Sequence, residues 1–524
     1  MSEAYLLHHL INLSAERAPE SAALTAGSNH WRYSQLQQQQ QQFANGLASL
    51  ALPASERVAV YLEKRLETVV ASFGTAAFGG TFVPVNPLLK AEQVGFILRD
   101  CEVRVLVTSP DRLRLVADEL TRCPSVHTVV VTGAVPQADA LGNWRGRCVG
   151  WAEFLDAAPG RHHSRIDTDM LAILYTSGST GRPKGVVLSH RNMVAGAKSV
   201  ASYLGNRADD VLLAALPLSF DAGFSQLTTG FHAGARVVLI NYLMPMDVLK
   251  AMAREGVTGI TAVPPLYIQL AQMEWPAVID SKLRYFANTG GRMPRETLNT
   301  LRARVPSAKP FLMYGLTEAF RSTYLPPDEV DRRPDSIGKA IPNAEILVLR
   351  EDGSECAADE PGELVHRGAL VGMGYWGDAE KTAERYKLLP GRPAGLQLPE
   401  FAVFSGDNVR RDAEGFLYFI GRRDEMIKTS GYRVSPTEVE EILYATKLVG
   451  ECAAFGVEHA TLGQSIRVIA TAAEGAPALN AANLLAECRQ RMPAYMVPAQ
   501  IDIVAGPLPR NPNGKIDRKL LSQG

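Results

Sequence analysis

The sequence predicts an α/β fold with a small α+β unit at its C-terminal end, on three observations. From about residue 55 to 315, short apolar runs alternate with stretches of helical spacing, which implies largely parallel sheets covered by helices. Near residue 335 the runs become short strands separated by turns such as Asp352-Gly353 and Glu414-Gly415, the pattern of a smaller β-rich subdomain. From Asp424 onward the mixture becomes α+β. The expected division is 1–423 and 424–524, with the β-rich subdomain at about 335–423.

Taken in order, Val58-Ala59-Val60-Tyr61-Leu62 reads as a strand, followed by a helical pattern from Leu66. Val103-Arg104-Val105-Leu106-Val107 and Val129-Val130-Val131 are further strands. Leu171-Ala172-Ile173-Leu174-Tyr175, Val211-Leu212-Leu213, Val237-Val238-Leu239-Ile240 and Gly259-Ile260-Thr261-Ala262-Val263 continue the series. Met246 to Glu255 and Pro294 to Arg304 have helical spacing. Ile346-Leu347-Val348-Leu349, Gly362-Glu363-Leu364-Val365 and Phe416-Leu417-Tyr418-Phe419 are the short strands of the β-rich part. Ser435 reads as a helix N-cap, with Pro436 at the first helical position and Glu438 completing a capping box. The run Gln37 to Gln42 reads as a solvated helix face.

Composition excludes several classes. The 524 residues carry 54 Lys+Arg against 55 Asp+Glu, a net charge of -1. That balance gives neither the basic excess of a nucleic-acid binder nor electrostatic attraction to a membrane. The opening Met1-Ser2-Glu3-Ala4-Tyr5 has no basic leader. No apolar run reaches the roughly 20 residues of a membrane span, and the nearest, Val69 to Val85, is punctuated by Gly74, Gly79, Gly80 and Pro84. The six scattered cysteines form no CxxC pair and read as buried thiols in a reducing compartment, so a cytoplasmic location is expected.

Five motifs carry chemistry. Tyr175-Thr176-Ser177-Gly178-Ser179-Thr180-Gly181-Arg182-Pro183-Lys184-Gly185 follows an apolar strand. Its glycines let N–H groups converge on an anion, its hydroxyls add donors, and Lys184 adds charge. It is not a Walker A loop, since Pro183 and Gly185 flank the lysine. A flexible Ser/Gly linker has the same composition. Tyr314-Gly315-Leu316-Thr317-Glu318 offers an aromatic face for a base, a hydroxyl for a phosphate and a carboxylate for magnesium. In Ser405-Gly406-Asp407 a carboxylate beside a tight turn can grip ribose hydroxyls. Gly421-Arg422-Arg423-Asp424, with Lys428 and Gly431-Tyr432-Arg433, is the fourth motif. The fifth is Pro509-Arg510-Asn511-Pro512-Asn513-Gly514-Lys515-Ile516-Asp517, which sets Lys515 after an Asn-Gly turn, where it is expected to be exposed. Singly, each of the last three reads better as a surface turn.

In this order and spacing the set resembles the AMP-forming adenylating superfamily: acyl-CoA synthetases, adenylation domains and luciferases. The resemblance spans essentially the whole chain. It implies a large N-terminal domain of two sheets plus a distorted β-barrel, and a small mobile C-terminal domain. It implies ATP, Mg2+ and a thiol, either coenzyme A or the phosphopantetheine of a carrier protein. A carboxylic acid would become an acyl-adenylate with release of pyrophosphate, and then a thioester. It further implies that Thr176, Ser177, Gly178, Ser179, Thr180, Gly181 and Lys184 hold the β- and γ-phosphates. Gly290, Gly291 and Tyr314 would frame the adenine, Thr317 would contact the α-phosphate, and Glu318 would bind the metal. Asp407 and Arg422 would hold the ribose. Lys515 would bridge the substrate carboxylate and the α-phosphate. Asp424 matches the hinge, and Gly431 and Arg433 belong to the segment that swings in for the thioester step.

The substrate stretch departs from the Phe-His pair of many fatty and aryl ligases. Here it is Leu216-Pro217-Leu218-Ser219-Phe220-Asp221. Phe220 and Asp221 resemble amino-acid-activating domains, in which the Asp pairs with an ammonium; the alternative is that Asp221 caps a helix beginning near Ala222. Gly291-Arg292 departs from the Gly-Glu of peptide synthetases. Asn86-Pro87-Leu88-Leu89-Lys90 and the stretch Thr317 to Tyr324 resemble exosortase-associated bacterial acyl-CoA ligases. The expected activity is therefore acid–coenzyme A ligation, with amino-acid loading of a carrier protein in trans as the alternative. A dead nucleotide-binding scaffold is disfavoured by the joint presence of Lys184, Glu318, Asp407 and Lys515.

Overall fold

Strands Arg57–Tyr61, Val105–Thr108 and Thr128–Val131 are buried along their whole length, as parallel strands covered on both faces must be. The computed structural model describes residues 3–137, 143–176, 183–391, 395–422, 425–429, 432–459, 462–475, 479–492, 494–512 and 514–523. The three strands belong to an eight-stranded sheet in which Thr81–Pro84 and Arg147–Gly150 also run parallel. Toward the opposite edge, Met170–Thr176 and Lys184–Ser189 pair antiparallel.

The second sheet has 14 strands. Its centre is parallel: Ala22–Ala26, Arg236–Leu239, Val211–Ala214, Gly259–Ala262, Tyr285–Asn288 and Lys309–Tyr314. Beyond Tyr314 it continues antiparallel through Thr323–Leu325, Ser336–Ala340, Leu417–Arg422, Phe401–Arg411, Gly362–Gly368 and Ala344–Leu349. The expected distorted barrel is therefore corrected. Among the described residues the β-rich strands extend the large sheet, because Thr323–Leu325 hydrogen-bonds on both sides, and Ala344–Leu349 ends the ladder without closing it.

A third, five-stranded sheet comes wholly from the C-terminal part. It carries its own core of Val439, Leu443, Ala454, Val468, Leu484 and Ile501. Helix Pro436–Ala445 starts at Ser435 with Pro at its first turn, as expected, but Ser435 makes no capping bond. Its hydroxyl is shared with Thr437 Oγ1 at 2.8 Å instead. The glutamine run lies on helix Tyr33–Ser49. Gln38 and Gln41 are exposed as expected, whereas Gln40 is buried and donates to Asn12 Oδ1 at 3.0 Å. All six cysteines are free. Among the described residues no helix is long and apolar enough to cross a membrane.

One aromatic cluster fixes the site from below. Phe224, on helix Asp221–Ala233, stacks on Phe73 at 5.8 Å and on Phe82 at 4.9 Å. Phe73 belongs to helix Leu66–Phe78 and Phe82 to the eight-stranded sheet, so the helix that starts at Asp221 is clamped to both. Each fully buried ring contributes about 1.5–3 kcal/mol.

His190 and His366 are wholly buried. His190 Nδ1 accepts from the Leu7 amide at 3.1 Å, and burial pushes its pKa down to about 4. His366 is held by Ser322 Oγ at 2.9 Å and is pushed down to about 3 by burial. Unfolded histidine titrates near 6.5, so below that pH the unfolded chain binds protons that the folded chain refuses. Thermal stability is expected to fall from about pH 6.5 toward pH 4. His190→Gln should flatten the slope by up to about 1.4 kcal/mol per pH unit, measured by calorimetry across that range.

Candidate active site

Thr176 and Lys184 pair in register across the antiparallel strands Met170–Thr176 and Lys184–Ser189. The expected phosphate donors Ser177, Gly178, Ser179, Thr180 and Gly181 lie outside the described residues. Lys184 Nζ stands 5.3 Å from the centre of the Tyr375 ring. The Tyr375 hydroxyl donates to Glu318 Oε1 at 2.6 Å. Lys184 and Glu318 therefore face one space, joined by a tyrosine that no sequence signal singled out.

Tyr314 ends its strand and donates its hydroxyl to Asp407 Oδ2. Asp407 pairs across the antiparallel ladder with Arg422, Nε to Oδ1 at 3.5 Å. Burial raises the Asp407 carboxyl above its ordinary value; Arg422, and then the Tyr314 hydrogen bond, oppose this. Burial likewise raises the Tyr314 phenol, and Asp407 adds to it.

Thr317 and Glu318 lie on the single turn Thr317–Ala319. Phe320 follows at φ 54 while fully buried. A non-glycine residue held in this region is strained, and such strain collects at functional sites. The twist separates Glu318, which reaches Tyr375, from Arg321, which turns inward to Asp221.

Asp221 is the first residue of its helix and Phe220 is the N-cap, so Asp221 does not cap a helix starting at Ala222. The first turn packs so closely on Pro217 that a Cβ at Gly223 would stand 1.8 Å from the Pro217 carbonyl oxygen. Only glycine fits there. The buried Asp221 carboxylate accepts from Arg321 Nη1 and Thr317 Oγ1, each at 3.4 Å. Burial raises its pKa, and Arg321, then Lys515, oppose.

Lys515 is not the exposed lysine that its turn predicted. It is partly buried, with Nζ 6.0 Å from the centre of the Phe220 ring. Gly290 has φ 76, which favours glycine, and a Cβ there would stand 3.1 Å from Lys515 Cε. Gly291 adjoins Pro264. Burial lowers the Lys515 pKa, and the Asp221 carboxylate is the largest opposing influence. Contacts among the described residues hold the C-terminal part in this position. Asn86 Nδ2 donates to the Pro512 carbonyl at 2.7 Å. Glu441 accepts from the Arg295 amide at 3.1 Å and stands 3.7 Å from Arg292 Nε. Lys447 pairs with Glu296 at 3.0 Å. Arg292, a departure in sequence, and Asn86 thus make contacts between the two parts. Asp424 and Gly431 lie outside the described residues; Arg433 sits on strand Tyr432–Val434, opposite Lys428.

Comparison with known proteins places this site in a class. A model of the AMP-binding enzyme family matches residues 11–376, and a model of the AMP-binding enzyme C-terminal domain matches 438–515. The chain belongs to the AMP-binding enzyme family. It is 28% identical to an L-proline--[L-prolyl-carrier protein] ligase of Pseudomonas fluorescens, over 99% of both chains. It is 27% identical to tyrocidine synthase 3 of Brevibacillus parabrevis over 98% of its own length, and spans only 8% of that synthase. The structure of ATP-bound MatB from Rhodopseudomonas palustris superposes with a TM-score of 0.86 at 25% identity, covering 99% of each chain. The anthranilate CoA ligase AuaEII, bound to anthranoyl-AMP, shares the fold with a TM-score of 0.87 at 24% identity, covering 99% of this chain and 97% of its own.

Among the described residues no group of three or more His, Cys, Asp or Glu could hold a metal. One hard carboxylate, Glu318, suits Mg2+, which completes its shell with waters and phosphate oxygens. Tyr375 orients that carboxylate. Tyr375→Phe is expected to raise the Mg2+ concentration for half-maximal ATP–pyrophosphate exchange by about 10-fold, measured by Mg2+ titration at saturating ATP.

Proposed function

We propose that the protein is an AMP-forming acid–thiol ligase that activates a carboxylic acid with ATP and passes the acyl group to coenzyme A. The observation that carries this reading is the Lys515 ammonium, brought from the C-terminal part into the space of Phe220, Gly290 and Asp221. The first step joins two anions. A carboxylate oxygen attacks the α-phosphorus, the bond to the bridging oxygen breaks, and pyrophosphate leaves. A fixed cation between the reacting groups lowers that barrier without reorganisation.

In this reading Lys515 and Thr317 act at the reacting phosphate. Thr176 to Lys184 hold the outer phosphates, and Gly290, Gly291 and Tyr314 frame the base. Asp407 and Arg422 hold the ribose, and Glu318 holds Mg2+. In the second step the thiol sulfur attacks the acyl carbon, AMP leaves, and the thiol proton passes to solvent. That step requires Lys515 to withdraw and the Gly431 to Arg433 segment to enter about a hinge at Asp424, which in this reading divides residues 1–423 from 424–524. Two features support the movement. The contacts Asn86–Pro512, Glu441–Arg295 and Lys447–Glu296 are polar, and no hydrophobic cluster of described residues joins the C-terminal cores to the rest.

Lys515→Ala is expected to lower acyl-adenylate formation by about 100-fold or more. It should leave thioester formation from supplied acyl-adenylate near wild type. Equal loss of both half-reactions would overturn the role given to Lys515.

A second reading is favoured by the full-length likeness to the prolyl-carrier ligase and by Asp221. The acceptor would then be a separate carrier protein and the substrate an amino acid. Pyrophosphate exchange over fatty, aryl and amino acids, followed by acyl transfer to coenzyme A or to a phosphopantetheinylated carrier, separates the two. Amino-acid exchange that collapses in Asp221→Ala, with transfer only to the carrier, establishes the second.

A further inference from the structure

Among the described residues, Arg321 is a buried charged group with poorly satisfied donors. It is 3% exposed at the side chain. A guanidinium has five N–H donors. Here Nη1 reaches Asp221 Oδ2 and Thr289 Oγ1 at 3.4 Å each, near the outer limit of a hydrogen bond. Its Nε–H is buried with no partner. Gln226, on the helix that begins at Asp221, donates to the Gly223 carbonyl at 3.0 Å, yet its Oε1 is also buried without a partner. Between them lies a cavity of about 20 Å³, whose walls include Ala222, Ser225, Gln226, Thr229, Met313 and Arg321. That is room for one water-sized group.

Resting on the adenylating reading above, we infer that Arg321 determines specificity by taking a second acceptor group, a carboxylate or carboxamide, on a short acid substrate. Three physical points lead there. An alkyl or aryl tail entering this cavity would leave the Arg321 Nε–H and Gln226 Oε1 unsatisfied, at about 1–3 kcal/mol each. A lone ammonium would compete with Arg321 for Asp221 and leave a net positive charge beside Lys515, a poor arrangement away from water. A second carboxylate or amide oxygen instead completes the guanidinium, whose planar fork matches it. An amino group on the same substrate then finds Asp221 relieved of part of its pairing. The small cavity admits one oxygen atom of that second group and no longer tail.

The test is ATP–pyrophosphate exchange by the full-length enzyme with L-aspartate, L-asparagine and succinate, against the size-matched L-2-aminobutyrate and butyrate, and against fatty and aryl acids. Wild type should favour the acids with a second acceptor by about 10- to 100-fold in kcat/KM. Arg321→Met should abolish or reverse that ratio. Removing one partner of a buried pair destabilises the fold, so the double variant Asp221→Asn with Arg321→Met is measured beside it. The double variant should melt near wild type and show the same lost preference. Equal or better exchange with the apolar acids, or a ratio unchanged by either variant, overturns the inference and leaves the ligase reading standing. No exchange with any acid overturns both.

Discussion

The rest of this structure depends on burying one ammonium. Lys515 loses solvation when it enters the centre of the molecule, and a cation removed from water persists only beside compensating anions. Asp221 is the strongest of these, with Asp407 and Glu425 beyond it. The sheets and the first turn of helix Asp221–Ala233 can be understood as the frame that keeps those carboxylates in place. The Phe73, Phe82 and Phe224 stack fixes the helix, and the close approach at Gly223 fixes its first turn.

The two buried carboxylates are handled differently. Asp407 lies in a ladder, with Arg422 opposite and Tyr314 donating to it, so backbone pairing sets its geometry. Asp221 is held by the side chains of Arg321 and Thr317 at long range, with the Ala222 amide of its own helix turn beside them. A ladder pair is rigid, whereas a long side-chain pair can rearrange when a ligand offers better partners. That contrast suits the proposed roles, in which Asp407 grips the nucleotide and Asp221 meets the substrate.

Much of the fold was legible because periodicity reports burial. The apolar runs at Val58, Val105 and Val129 became fully buried parallel strands. The helix after Met246 and that after Pro294 appear as Pro245–Glu255 and Arg295–Arg304. The barrel failed as an expectation because closure depends on which distant strands share hydrogen bonds, and no local pattern encodes that. Gln40 escaped for a similar reason. Its partner Asn12 lies on another helix, so a run of identical residues looked uniformly solvated.

The sequence by itself determined the types of chemistry: a hydroxyl- and glycine-rich loop before Lys184, a carboxylate at Glu318, another at Asp407, and a lysine after an Asn-Gly turn. Residue type and spacing suffice there, because each motif is a short segment with its own backbone demands. Tertiary structure alone decided which groups face each other. It took Lys515 from an expected exposed turn into the centre, joined Tyr375 to Glu318, and set Arg321 against Asp221 across 100 residues. Electrostatic partnership depends on distance and on exclusion of water. Both arise only when remote segments pack together.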